Sequence, residues 1–339
     1  MTRTISLALV ALLALGLGCA AGRARPDRTP LPAGLDRLYL FSYFKEGERK
    51  DGKKIAGGIG LWLAWSADGL DWRQIGHRRV FEPTLSSMVR DPFICRGPDG
   101  AFRLVWTTGW NEKSIGYAAS DDLIHWRDEA LVPVMANEPT TLNTWAPECT
   151  YDDASQNFII YWSSTIPGRF PETEAGGDGV FGGGNAKYNH RIYSTATADW
   201  KTFTPARVLI DPGVSCIDAD IFKWQDGYAM VLKIEALKPP AKWLVVSRAP
   251  SASGPWGPVS EPITRPGDWS EGPSTIVIDG RARVYFDRYV ARRYGAVTSP
   301  DLKTWTYVDD LKMPRGVKHG NAFAVETPVV AGVVKAMGK

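Results

Sequence analysis

The segment "SDDLIHW", residues 120–126, is one of five near-copies spread along a 339-residue chain. "SADGLDW" (66–72), "TADWKTF" (197–203), "SASGPWG" (251–257) and "SPDLKTW" (299–305) repeat its order of small or hydroxyl residue, polar turn, then aromatic. Their aromatic ends are Trp72, Trp126, Phe203, Trp256 and Trp305, of which Trp72, Trp126 and Trp305 are assigned to the core. The copies recur at roughly fifty-residue intervals, and the longest interval contains the Gly-rich insertion "EAGGDGVFGGGN" (174–185).

Strand-like runs precede each copy: "LYLFSYF" with "GIGLWLAW", "FRLVWTTGW" with "IGYAAS", "FIIYWSS" with "RIYSTAT", "YAMVLKI" with "WLVVSRA", and "RVYFDRY" with "YGAVTS". They are short, rich in β-branched and aromatic residues, and bounded by turn formers. Helical periodicity is nearly absent. A unit of several short strands repeated at this period is the signature of a propeller blade, so the chain is expected to be an all-β, five-bladed β-propeller. A β-sandwich would not explain five similar units. The first unit lacks an innermost strand, and the last is followed by an extra strand-like run, "GNAFAVETPVV" (320–330). Pairing that C-terminal run with the N-terminal blade would close the ring and hide an edge.

Composition agrees with many short strands and loops: 14 Trp, 34 Gly and 24 Pro. A net charge of +3, with no basic tract interleaved with aromatics, argues against nucleic acid as a partner. Residues 1–21 read as a secretory signal, with Arg3 ahead of the apolar run "LALVALLALGLG". "GLGCAAG" also resembles a bacterial lipoprotein signal in which Cys19 would be lipidated, although Gly16 stands where Leu is usual. Residues 22–35 form a Pro-rich linker, and 36–335 the propeller. The chain is thus expected to be exported, periplasmic, outer-membrane anchored or secreted, monomeric, and tied to a membrane only through such a lipid. Cys95, Cys149 and Cys216 show no framework spacing and read as buried thiols.

Innermost propeller strands surround the axis, so residues at their entries converge on one face. Four acids open strand-rich units: Asp91 in "RDPF", Glu148 in "WAPE", Asp218 in "IDADIF" and Glu271 in "SEGPS". They read as four equivalent positions in successive units, whereas Asp121 and Asp301 fall in outer loops. Asp218 and Asp220 compete for one role, since side chains alternate along a strand.

These motifs, followed by a late "KHGN", resemble glycoside hydrolase family 43, five-bladed propellers that cleave arabinofuranosides, xylosides and some galactans. The likeness runs from about residue 37 to 330 and is greatest to the arabinofuranosidase-type branch. It implies that Asp91 is the general base, Glu271 the general acid, and Asp218 the residue that keeps Glu271 protonated and in position. "WAPE" departs from the family's Trp-Ala-Pro-Asp, so Glu148 is expected to bind substrate or line the axis rather than to catalyse. His319 matches an axial histidine that often supports an ion or water. No cofactor is implied as a requirement, and calcium or another hard ion on the axis is compatible with the pattern.

The chemistry suits those roles. Inverting glycoside cleavage needs one protonated and one ionised carboxyl, roughly 6.5–9.5 Å apart to admit water, against about 5–5.5 Å for retention. Trp110, Trp145 and Trp269 are expected to stack on sugar or wall the pocket, with propeller core as the competing assignment. Arg288 would reach a sugar hydroxyl or form an outward salt bridge. "GDGVFGGGN" lacks the Lys-Ser/Thr of a phosphate loop and reads as an insertion shaping the pocket with "RFPET". The function expected is removal of a terminal pentofuranose, foremost α-L-arabinofuranose, from plant-type polysaccharide by inversion. A β-xylosidase or exo-galactanase on the same scaffold, or a non-catalytic glycan-binding propeller, are the alternatives.

Overall fold

The computed structural model describes residues 30–50, 52–54, 57–173 and 188–338. The signal, the lipoprotein reading of Cys19 and the Gly-rich insertion lie outside them. Five antiparallel sheets form the blades. Blade 1 runs, inside to outside, Gly320–Glu326, Arg37–Tyr43, Trp62–Ser66, Arg73–Gln74. Blade 2 is Arg90–Arg96, Phe102–Thr107, Ile115–Ser120, Trp126–Val132, and blade 3 is Trp145–Asp152, Asn157–Ser164, Arg191–Thr197, Arg207–Ile210. Blade 4 has three strands, Cys216–Trp224, Gly227–Ile234 and Leu244–Ala249. Blade 5 has Glu271–Ile278, Arg281–Arg288, Arg293–Ser299 and Thr306–Tyr307.

Closure is as the sequence predicts. The C-terminal strand pairs with the first, from Arg37 opposite Glu326 to Tyr43 opposite Gly320. Each end of the chain therefore satisfies the other's unpaired edge. Blade 4 lacks a regular outer strand for a local reason. Gly257, Ser260 and Ile263 still donate to Arg248, Val246 and Leu244, but Pro255, Pro258 and Pro262 interrupt the segment. Proline supplies no N–H to a ladder.

The repeat also acquires a mechanism. Ser120 Oγ accepts the backbone N–H of Asp122 and Leu123, while Asp122 Oδ1 accepts those of Ile124 and His125. Ser66 with Asp68, Thr197 with Asp199, and Ser299 with Asp301 make the same set. The side chains do the work of backbone acceptors in a tight turn. The turn places Gly69, Leu123, Trp200 and Leu302 at positive φ. Leu123, Trp200 and Leu302 are buried there, so apolar burial offsets the backbone strain. The terminal aromatics Trp126, Phe203, Trp256 and Trp305 are only partly buried and pack against these cores, whereas Trp72 is buried.

One expectation fails. "TPVV" does not continue the last strand: Thr327–Met337 is an α-helix with Pro in its first turn. Val330, Val333 and Met337 fall on one helical face and join the blade-1 core, so helix periodicity was present beneath residues that favour strands singly. Cys149 and Cys216 are buried free thiols, and Cys95 is partly exposed.

Candidate active site

Each inner strand of blades 2 to 5 carries a bulge at its entry. The ladder skips between Arg90 and Phe93, Trp145 and Glu148, Ile217 and Asp220, and Glu271 and Ser274. This aligns Arg90-Asp91-Pro92-Phe93 with Trp145-Ala146-Pro147-Glu148, Ile217-Asp218-Ala219-Asp220 and Glu271-Gly272-Pro273-Ser274. The second position is left-handed in all four, with φ of 52° at Asp91, 46° at Ala146, 52° at Asp218 and 55° at Gly272. Bulges re-aim side chains where a strand meets a functional site.

The alignment corrects the reading of four equivalent acids. Only Asp91 and Asp218 share a position. Glu271 stands one residue earlier, and Glu148 two later, level with Asp220. Because side chains alternate in direction, such offsets separate the four carboxyls in depth and aim.

Hydroxyl groups lock neighbouring blades together at this level. Thr107 Oγ1 donates to Asp91 Oδ2 at 2.8 Å and accepts the Ala146 N–H at 2.8 Å. Ser163 Oγ accepts the Asp218 N–H at 3.1 Å. Blade 4 places Lys233 where Thr107 and Ser163 stand, opposite Ile217 in the ladder. The Gly272 N–H is instead taken by Asp218 Oδ2 at 3.0 Å.

Asp91, Asp218 and Glu271 line one cavity of about 1420 Å³, together with His319 and Lys233. His319 is buried on the axis, its Nδ1 3.2 Å from Asp91 Oδ1 and 3.9 Å from Asp218 Oδ2, its Nε2 4.0 Å from Glu148 Oε1. Burial favours the neutral ring, but Asp91 and Asp218 outweigh it and hold the imidazole well above its ordinary range. The ring thus sits within 4.0 Å of three carboxyls, a setting that favours its protonated form. Among the described residues no group of three or more His, Cys, Asp or Glu converges as metal ligands.

The carboxyls respond differently to the same burial. For Asp91, burial is overcome by Arg90, His319 and Thr107, which hold it below the usual carboxylate range. Asp218 is pushed up to about 6 by burial, with Glu271 and Asp91 adding to the shift and His319 and Lys233 opposing it. Asp220 is pushed up to about 7 by burial. Arg90 contacts Asp91 at 3.6 Å and Glu46 at 3.0 Å, so the salt bridge and the cavity position coexist.

Glu148 and Trp269 do not line the cavity, which leaves Glu148 its axis-lining assignment and Trp269 its place in the propeller packing. Glu148 is outside the cavity lining, buried beneath His319 and hydrogen-bonded by the Tyr161 hydroxyl at 3.1 Å. Burial and Asp220 raise it well above the normal carboxylate range. Trp269 sits behind Tyr289, ring centroids 6.1 Å apart, and does not line the cavity. Trp110 and Trp145 do line it, and are joined by a 2.9 Å bond from Trp145 Nε1 to the Trp110 carbonyl. Arg288 lines it as well, with Nε held by Asp268 Oδ1 at 2.5 Å.

Lys233 and Glu235 were missed. Lys233 Nζ lies 2.9 Å from Glu235 Oε2 and 3.2 Å from Glu271 Oε2, and Lys242 Nζ lies 3.4 Å from Glu235 Oε2. All but Glu271 are buried, so the string alternates sign where an unpaired charge would be costly. The signal was available as a lysine inside the apolar strand "YAMVLKI". Tyr188, tilted against Trp145 with ring centroids 4.9 Å apart, extends the aromatic wall and was also missed.

Comparison with known proteins bears on the fold and the family. An α-L-arabinofuranosidase of Bifidobacterium longum subsp. longum is 25% identical over 159 residues, covering 40% of this chain and 14% of that protein. The chain thus spans about a seventh of the curated relative's length. A family 43 β-1,3-galactosidase superposes with a TM-score of 0.50 at 12% identity, over 70% of this chain and 81% of its own. An α-L-arabinofuranosidase from Lactobacillus brevis gives 0.49 at 18% identity, over 65% and 72%. Residues 36–328 match the family described as "Probable glycosyl hydrolase domain", a group related to glycoside hydrolase family 43. With the match running through all five blades, the chain belongs to that glycosyl hydrolase family.

Proposed function

We propose that this protein is an exported glycoside hydrolase that removes a terminal pentofuranose, foremost α-L-arabinofuranose, from plant-type polysaccharide or oligosaccharide with inversion. One observation carries the reading: Asp91, paired with Arg90 and His319, and the carboxyl of Glu271 line the same cavity from different blades, with the axial His319 between Asp91 and Asp218.

In this scheme Asp91 takes a proton from water, the water oxygen bonds to the anomeric carbon, and the glycosidic bond breaks as Glu271 delivers its proton to the leaving oxygen. Lys233 holds Glu271 Oε2, which leaves Oε1 for the leaving oxygen. Asp218, fixed by the Gly272 N–H, sets the backbone from which Glu271 extends. Trp110, Trp145 and Tyr188 offer flat apolar faces for the sugar ring. The arabinofuranosidase name of the curated relative favours arabinofuranose among the pentoses.

The test is hydrolysis of 4-nitrophenyl α-L-arabinofuranoside, β-D-xylopyranoside and β-D-galactopyranoside, with the product anomer followed by proton NMR. The arabinofuranoside should be cleaved fastest, and the first product should have inverted configuration. A preference for either other sugar transfers the assignment to it, retention removes the water-activating role of Asp91, and no turnover on any glycoside favours a glycan-binding module.

A further inference from the structure

The cavity carries more cationic side chains on one side than its own carboxylates neutralise. Arg90 is paired with Glu46, Lys233 with Glu235 and Glu271, Arg288 with Asp268, and Lys318 with Asp287. Arg265, Arg292, Arg293 and Arg315 also line the cavity, and among the described residues none has a carboxylate within ion-pair distance. All four are exposed, and Arg265 lies over the Tyr307 ring, its guanidinium carbon 4.2 Å from the ring centroid. Asp309 is the one lining carboxylate on that side with no ion-pair partner among the described residues, four positive charges against one.

The position of these arginines gives the excess a direction. Arg265 leads into the inner strand of blade 5, which opens with Glu271. Arg292 and Arg293 form the hairpin between Arg281–Arg288 and Arg293–Ser299 of the same blade, and Arg315 lies on the loop entering Gly320–Glu326. The arginines therefore come from blade 5, which carries Glu271, and the loop after it, whereas Trp110, Trp145 and Tyr188 come from blades 2 and 3. On the reading above, the oxygen that Glu271 protonates belongs to the departing part of the substrate.

We infer that the leaving-group side of this cavity binds an acidic oligosaccharide, with Arg265, Arg292, Arg293 and Arg315 receiving a carboxylate or sulfate ester borne by the sugar next to the scissile bond. The inference rests on the glycosidase reading for its orientation, and on the unpaired arginines for its chemistry. A guanidinium presents two parallel N–H donors that match the two oxygens of such an anion. Each exposed pair is weak, so recognition depends on several acting together and is screened by salt.

The experiment is isothermal titration calorimetry on the whole chain with trigalacturonate, its carboxyl-reduced counterpart, and a sulfated form of that neutral trisaccharide. At low salt the charged forms should bind about tenfold more tightly than the neutral one, the sum of several exposed ion pairs. The difference should close at high salt and in the R292Q/R293Q/R315Q variant, whose fold is checked by circular dichroism. The larger of the two charged effects identifies the anion as carboxylate or sulfate. Equal binding of neutral and charged forms, or a preference that survives in the variant, overturns the inference. Binding is read without turnover, so the two readings fail separately. A chain that cleaves neutral arabinofuranosides and ignores charge loses only the anion site. One that cleaves nothing and prefers anions loses the glycosidase reading while keeping that site.

Discussion

Asp218 Oδ2 accepts the backbone N–H of Gly272 at 3.0 Å, so the inner strands of blades 4 and 5 are tied together one residue from Glu271. The corresponding bonds between blades 2 and 3, and between 3 and 4, end on hydroxyls of Thr107 and Ser163. At the blade carrying the candidate acid, a titratable group has replaced a neutral one.

That replacement makes Asp218 a positioning residue whose two contributions separate. D218N keeps an acceptor for the Gly272 N–H but cannot ionise, whereas D218A loses both. We expect the alanine variant to lose about tenfold more kcat than the asparagine variant, the worth of one buried hydrogen bond. Both variants should lose the limb near pH 6 in the pH profile of kcat/KM, because Asp218 is the group pushed up to about 6. Steady-state kinetics from pH 4 to 9 would show it, and a limb retained in both would remove Asp218 from this role.

Glu271 and Asp91 should fail in different ways. E271Q is expected to lose about 10²–10⁴-fold on substrates with poor leaving groups but much less on activated aryl glycosides, which need no proton at the leaving oxygen. D91N should lose activity on both, since water must be activated whatever leaves. Equal losses of E271Q on the two substrate classes would exclude it as the acid.

Gly272 combines a φ of 55° with a crowded site. A Cβ there would lie 2.5 Å from Cγ of the buried His319. G272A should push His319 away from Asp91 and Asp218, lower kcat at least tenfold, and cost about 1–3 kcal/mol from backbone strain. Thermal unfolding and kinetics of the variant test this together, and a variant with wild-type kcat would show that His319 has room to move.

Buried carboxyls predict how stability varies with pH. Asp220 rises from 3.8 to about 7 on burial, so the folded state binds more protons than the unfolded state between those values. The stability it contributes is present below the unfolded value and is lost as pH climbs through the folded one, by about 1.4 kcal/mol per pH unit. His190 is lowered to about 3 by burial and by nearby Lys233, Arg191 and Lys242, and acts in the opposite sense as pH falls below 6.5. The comparison that isolates Asp220 is therefore wild type against D220N. The variant should gain stability relative to wild type as pH rises from 4 to 7, measured by urea denaturation, and parallel curves would contradict it.

The blade count, the ring closure and the placing of acids at the blade entries were legible in the chain's own residue order. Each rests on local order: the Ser/Thr-x-Asp turns recur because side-chain oxygens cap their own backbone, and strands recur with β-branched and aromatic runs. Depth and pairing came from the assembled blades. One residue of offset turns a side chain to the other face of a strand, so Glu271 and Glu148, alike in sequence to Asp91 and Asp218, occupy different levels. The same holds for Lys233, which reaches Glu271 from blade 4 to the adjacent blade 5, 38 positions along the chain. Such contacts have no local signature, because the groups that give a buried charge its partner meet only after the blades close around the axis.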